Sequence, residues 1–234
     1  ANQTGINGFG SDGTRFVIAD RTNARVLIWN NIPANGDVPA DIVLGQTDFN
    51  VGGYNGGAGT TPVALNCSML STPEAPTIYG NKLIIADTGN HRVLIWNTWP
   101  TTNNQPADIV LGQADCTTYV VAPITASSLK NPTHGFVVND KLAVADYSNH
   151  RILIWNTFPT TNGKAADLYV GTTAFNVGTS AISATRTIAP RRLTSNGTNL
   201  IAAETNNNRV AIWNTFPTAN GPTIDIVLGQ ATFT

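Results

Sequence analysis

Few residues in this chain have the chemistry for acid–base, nucleophilic or metal work, and most of those recur at fixed spacing. Asp20, Asp87, Asp146 and Glu204 are each followed five residues later by an arginine: Arg25, Arg92, Arg151 and Arg209. A carboxylate at the end of one strand and a guanidinium at the start of the next tie down the intervening turn with charge-assisted hydrogen bonds. Recurrence in every copy marks these eight residues as structural. Of the three histidines, His91 and His150 occupy one repeated turn position in different copies, so the chain is not expected to gather a histidine-rich metal site. No glycine-rich phosphate loop leads from a strand into a helix, and no cofactor is assigned. Function on a repeat scaffold must break the repeat, which singles out His134, Arg191, Arg192 and Glu74. These four are the candidate site for a small polar or anionic ligand. Any Ser/His/Asp triad would have to use His134 as its base.

The elements that position these residues follow from self-similarity. The segments RVLIWN (25–30), RVLIWN (92–97), RILIWN (151–156) and RVAIWN (209–214) place Trp29, Trp96, Trp155 and Trp213 in register at spacings of 67, 59 and 58. A third apolar run opens twelve residues after each Trp, at Asp41, Asp108, Asp167 and Asp225, and Phe49, Cys116, Phe175 or Phe233 lies twenty after it. Pro73, Pro132 and Pro190 open the later copies, with Ile6 in that place in the first. Each copy is a 44-residue frame, and only the linkers vary in length. Short Val/Ile-rich runs between Gly, Pro, Asn and Asp turns read as four strands per frame, in the second copy near 76–79, 82–86, 92–97 and 108–111. The runs are nearly continuously apolar, which implies sheets covered on both faces.

The segments Asp87-Thr-Gly-Asn-His-Arg-Val and Asp146-Tyr-Ser-Asn-His-Arg-Ile resemble the NHL repeat, with Ala24 and Asn208 in the histidine place in the outer copies. The Trp-Asn-x-x-Pro and Val-Leu-Gly-Gln segments resemble the long-linker bacterial branch of that family. The resemblance implies an all-β fold, a β-propeller of four NHL-type four-stranded blades at about 6–49, 73–116, 132–175 and 190–233, forming one domain over 1–234. Relatives usually carry about six blades. The expected form is a closed four-bladed ring, with part or half of a larger propeller as the alternative. The four aligned Trp are expected to be buried between blades rather than to stack on sugars. Trp99, Phe158 and Phe216 should cap a turn, and Asn23, Asn90, Asn149 and Asn207 should bond their own backbone or take positive φ.

Composition bounds the rest. Charged residues make up 12% of the chain, and the net charge is −1, so there is no basic field for nucleic acid. No apolar stretch is long enough to span a bilayer. An Asn/Thr-rich surface and a start at Ala1 fit an exported protein, secreted, extracellular or periplasmic. Cys67 and Cys116 flank the second frame and are expected to pair as a disulfide. The glycine-rich linker 50–72 is a candidate binding excursion, and Asn2, Asn66 and Asn196 begin glycosylation sequons. The expected function is a non-catalytic binding, scaffolding or self-assembling module whose partner is a protein, a small polar ligand or another copy met through blade edges. The alternative is a lyase or hydrolase at the axial mouth around His134.

Overall fold

Every repeat folds as a four-stranded antiparallel meander in the computed structural model, which describes residues 5–57, 64–121 and 123–233. The first sheet holds β1 (Ile6–Ser11), β2 (Phe16–Asp20), β3 (Arg25–Trp29) and β4 (Ile42–Leu44). The second holds β5 (Pro73–Tyr79), β6 (Lys82–Asp87), β7 (Arg92–Trp96) and β8 (Ile109–Leu111). The third holds β9 (Pro132–Val138), β10 (Lys141–Asp146), β11 (Arg151–Trp155) and β12 (Leu168–Val170). The fourth holds β13 (Pro190–Thr194), β14 (Leu200–Glu204), β15 (Arg209–Trp213) and β16 (Ile226–Leu228). The architecture is an all-β propeller of four blades. Of the residues singled out above, Ala1, Asn2 and positions 58–63 of the linker lie outside the described ones, while Asn66 and Asn196 are exposed.

The innermost strand of the second blade starts at Pro73, three residues before the position expected from the pattern. Its pairing with β6 breaks between Glu74 and Thr77, because Ala75 takes a positive φ of 37° and Pro76 has no N–H to offer the ladder. Corresponding irregularities occur near the start of β1, β9 and β13. Such bulges turn side chains out of the regular strand alternation.

The repeated ion pairs hold each blade together. Asp87 accepts from Arg92 Nε at 2.7 Å, from Asn90 Nδ2 at 2.8 Å and from the Ser71 amide at 2.6 Å. Arg92 then donates to three carbonyls, those of Cys116, Asn66 and Met69. Both partners are completely buried. In the third blade Arg151 pairs with Asp146 and reaches the carbonyls of Phe175, Thr125 and Ser128. Arg25 and Arg209 likewise reach the carbonyls of Phe49 and Phe233. Each frame therefore ends on the residue that its arginine holds. The four repeated Asn donate to the acid, and the residue after each takes positive φ: Ala24, His91, His150 and Asn208, near 50°. The expected roles divide between two neighbours because the Asn amide is consumed by the carboxylate.

Blades pack through a directional seam. The trailing face of the first blade, with Val26, Ile28, Ile42 and Leu44, lies against the leading face of the second, with Leu83, Ile85, Leu94 and Trp96. The same positions meet at the second and third seams, and Trp96, Trp155 and Trp213 are each 1% exposed. At each seam an Asn side chain of the later blade accepts the amide of the earlier blade's outermost strand at 3.0 Å: Asn103 from Val43, Asn162 from Val110, and Asn220 from Tyr169. The next residue's amide donates back to the same carbonyl, at 2.8 to 3.0 Å. Trp99, half-buried, bridges the first seam by donating to Asn30 and lying under the Arg15 guanidinium. Cys67 and Cys116 form a disulfide across a sequence separation of 49.

Among the described residues no strand pairing joins the fourth sheet to the first, so the expected four-bladed ring is not closed by hydrogen bonds. On the fourth blade's trailing face Ile226 is 41% and Leu228 54% exposed, whereas the equivalent Ile42 and Leu44, Ile109 and Leu111, and Leu168 and Val170 are all buried. The first blade's leading side exposes Phe9 at 71%, with Phe16 and Ile18 half-buried. Leu27, Trp29 and Val43 form a small cluster there that no other blade joins among the described residues.

Two outcomes follow. Arg92→Leu strands a buried carboxylate and should cost about 3–5 kcal/mol in urea unfolding, whereas Lys164→Gln, at an exposed position, should change stability little. Reducing the Cys67–Cys116 bridge should lower stability by roughly 4 kcal/mol on the loop-closure model, measured by the same titration with and without reductant.

Candidate functional site

The innermost strands bring one residue from each blade to a common point just after the frame opens: Asn7, Glu74, Thr133 and Arg191. The bulges aim these side chains toward one another. Glu74 is buried and lies 3.4 Å from Arg191 Nη2, 3.3 Å from Arg192 Nη1 and 3.5 Å from Arg21 Nε. Arg192 contacts the other three blades: its Nη2 donates to the Asn7 carbonyl at 2.9 Å, and its Nη1 donates to the Thr133 carbonyl at 3.1 Å and reaches Glu74. Burial lowers the pKa of its guanidinium, with Glu74 pulling the other way.

His134 stands beside this cluster and is committed on both ring nitrogens. Its Nδ1 accepts the Leu193 amide at 3.0 Å, and its Nε2 lies 3.2 Å from Thr77 Oγ1. An Nδ1 that accepts a backbone amide assigns the proton to Nε2. Burial first, and then the Arg192 charge, depress its pKa to about 3. The imidazole therefore ties the second, third and fourth blades together as a neutral bridge. His91 and His150 act in a related way, each accepting an amide just before the next blade, from Asn131 and Ala189.

The structure thus places His134, Arg191, Arg192 and Glu74 in one neighbourhood, with Arg191 and Glu74, but not His134 or Arg192, lining the cleft. Sequence reasoning missed Arg21, which reaches Glu74 from the first blade's turn. The signal was available: Arg21 directly follows its acid, where the other copies have Thr88, Tyr147 and Thr205. A cleft of about 290 Å³ opens here, lined by Arg21, Glu74, Asn131, Thr133, Tyr147 and Arg191 among others. No group of three or more His, Cys, Asp or Glu side chains among the described residues is placed to hold a metal ion. The linker 50–72 is partly integrated: Asn55 is fully buried, donates its amide to the Leu70 carbonyl and accepts from Asn90.

The depressed His134 pKa has a pH consequence. The unfolded chain takes up a proton near pH 6.5, while the folded chain resists until about pH 3. The stability that His134 contributes is complete above pH 6.5 and is lost as pH falls through that window. The stability difference between the wild type and His134→Gln should therefore shrink by about 3 kcal/mol from pH 7 to pH 4, as read by chemical denaturation at each pH. A constant difference would show that His134 is not held neutral.

No protein-family model matches this sequence, and no curated protein sequence matches it. Solved structures do. The chain is similar to the computationally designed Ika4 protein, at 8% identity and TM-score 0.51, over 92% of this chain and 94% of that one. It is similar to hydrazine synthase from Kuenenia stuttgartiensis at 11% identity and TM-score 0.52, over 91% of this chain and 46% of that one. It is also similar to the WD40 domain of Toxoplasma gondii coronin at 13% identity and TM-score 0.50, over 89% of this chain and 42% of that one. The chain spans less than half the length of the latter two. At these identities the likeness is one of fold, and the fold is the β-propeller.

Proposed function

We propose that the chain is a non-catalytic, NHL-type propeller module of an exported bacterial protein, which binds and scaffolds by packing its open end faces against further blades. The observation that carries this reading is the contrast at equivalent positions: Leu228 is 54% exposed, while Leu44 and Leu111 are fully buried by the next blade. A face built of Val210, Ile212, Ile226 and Leu228 matches the three faces already in use inside the chain, so the partner it fits is a blade with a leading face of the same kind. Exposed contiguous apolar surface of this sort marks association sites. Heterologous contacts of this kind give rings when the rotation closes and open chains when it does not.

The NHL assignment is supported by the structural work of the repeated residues: the acid, Asn and Arg clamp each turn, and the two histidines reach the next blade. Export is supported by the disulfide, which persists in oxidising compartments. A non-catalytic role is supported by His134, whose only lone pair is already engaged by the Leu193 amide. A hydrolase or lyase that used His134 as its base would need that lone pair.

Sedimentation velocity is the test. The wild-type chain should run as a species heavier than its 24.7 kDa monomer, and Ile226→Glu combined with Leu228→Glu should return it to a monomer that keeps the far-UV circular dichroism of the folded wild type. A wild type that stays monomeric at all concentrations would overturn association through these faces.

A further inference from the structure

We infer that the cleft at the axial mouth binds a small oxyanion, either the carboxylate of a small organic acid or inorganic phosphate, between Arg21 and Arg191. The inference stands independently of association through the end faces, since it concerns the axis.

Charge balance is the first argument. Three guanidiniums, those of Arg21, Arg191 and Arg192, converge on the single carboxylate of Glu74 at 3.3 to 3.5 Å. Glu74 is the only acid lining the cleft. One carboxylate offsets one guanidinium, so the cluster carries an excess of two positive charges in a partly enclosed space where water screens poorly. A chain whose overall charge is −1 concentrates cations here. Clefts lined by one sign of charge focus the field and draw in a counter-ion.

Donor accounting is the second. Both terminal nitrogens of Arg192 are engaged internally, on Asn7, Thr133, Arg191 and Glu74, and Arg192 is not among the residues that line the cleft. The wall hydroxyls are turned to protein acceptors: Thr88 donates to the Pro132 carbonyl, Thr133 to the Arg191 carbonyl and Ser148 to Asn131. Arg21 meets Glu74 through Nε, leaving both its terminal nitrogens without a partner among the described residues. Arg191 uses Nη2 on Glu74 and Asn7, leaving Nε and Nη1. Their side chains are 46% and 34% exposed, so both present donors to the cleft and to solvent. Planar guanidinium forks suit the geometry of carboxylate and phosphate oxygens.

Size is the third. A volume of about 290 Å³ is enough for a small acid or phosphate. With only two guanidiniums supplying free donors, the ligand is held by its oxyanion and not by an extended pattern of neutral contacts.

Isothermal titration calorimetry on the full chain tests this, with sodium malonate and sodium phosphate as separate probes at pH 7 and low ionic strength, each against matched sodium chloride. Saturable one-to-one binding of at least one probe is expected, and the probe that binds identifies the oxyanion class. Arg21→Gln and Arg191→Gln should each weaken it at least tenfold. Arg191→Lys, which keeps the charge and removes the fork, should give an intermediate loss without disturbing the fold. Lys164→Gln removes an exposed cation from a loop of the third blade and should leave binding unchanged. Absence of saturable binding for both probes, or an equal loss in Lys164→Gln, would overturn the inference.

Discussion

The buried pair of one carboxylate and one guanidinium is the constraint from which each blade is built. Desolvating two charges is expensive, and their mutual attraction offsets that cost only when the remaining donors and acceptors are also satisfied. Arg92 meets the condition by bonding Asp87 and three carbonyls, one of them at the end of its own frame and two in the linker that precedes it. Asp87 meets it with Asn90 and the Ser71 amide. One ion pair thus fixes the hairpin turn, the frame end and the approach of the linker together. The strands supply apolar surface, but the pair decides where the chain must return.

Blade-to-blade packing is a separate and directional device. Leading and trailing faces carry different residues, so the contact has a sense, and the Asn of a later blade reads the outermost strand of the earlier one. The histidines of the repeat belong to this device. Holding positive φ near 55°, His91 and His150 project Nδ1 toward the amide that precedes the next blade. Ala24 in the first blade and Asn208 in the fourth stand in that place without the imidazole ring, Ala24 although the second blade packs on its own blade. In the first blade Gly36 occupies the position of Asn103, so the outward clasp is missing on the side that no described blade covers. Asn35, one residue earlier, bonds the Asp37 amide in its own loop instead.

Much of the fold was legible in the residues because its constraints repeat. Four copies in register expose the acid, the arginine, the Trp and the frame-closing position at once, and a buried ion pair has few ways to satisfy its donors. Less was legible where two neighbours share a task. The Asn before each histidine looks like the residue of positive φ, yet the carboxylate claims its amide and the next residue bends instead. The strand opening at Pro73 was read late, since Pro76 interrupts the ladder and only the three-dimensional bulge shows that pairing resumes across it. Whether a face is covered does not appear in periodicity at all. Leu228 and Leu44 are the same residue in the same frame position, and only the presence of a next blade separates them.

The axis obeys a rule that the rest of the molecule does not. Elsewhere equivalent positions hold equivalent residues, because each blade meets the same environment. At the axis four equivalent positions meet one another, and four identical charges there would repel while four identical apolar residues would expose their surface to the mouth. The copies must therefore diverge, and they do: Asn7, Glu74, Thr133 and Arg191. A purely structural solution would match one acid to one base, as each blade does in its own interior. This chain brings Arg192 in to join the blades and still directs Arg21 and Arg191 onto the same Glu74. Among the ion pairs of the described residues, Glu74 is the one carboxylate that meets more than one guanidinium.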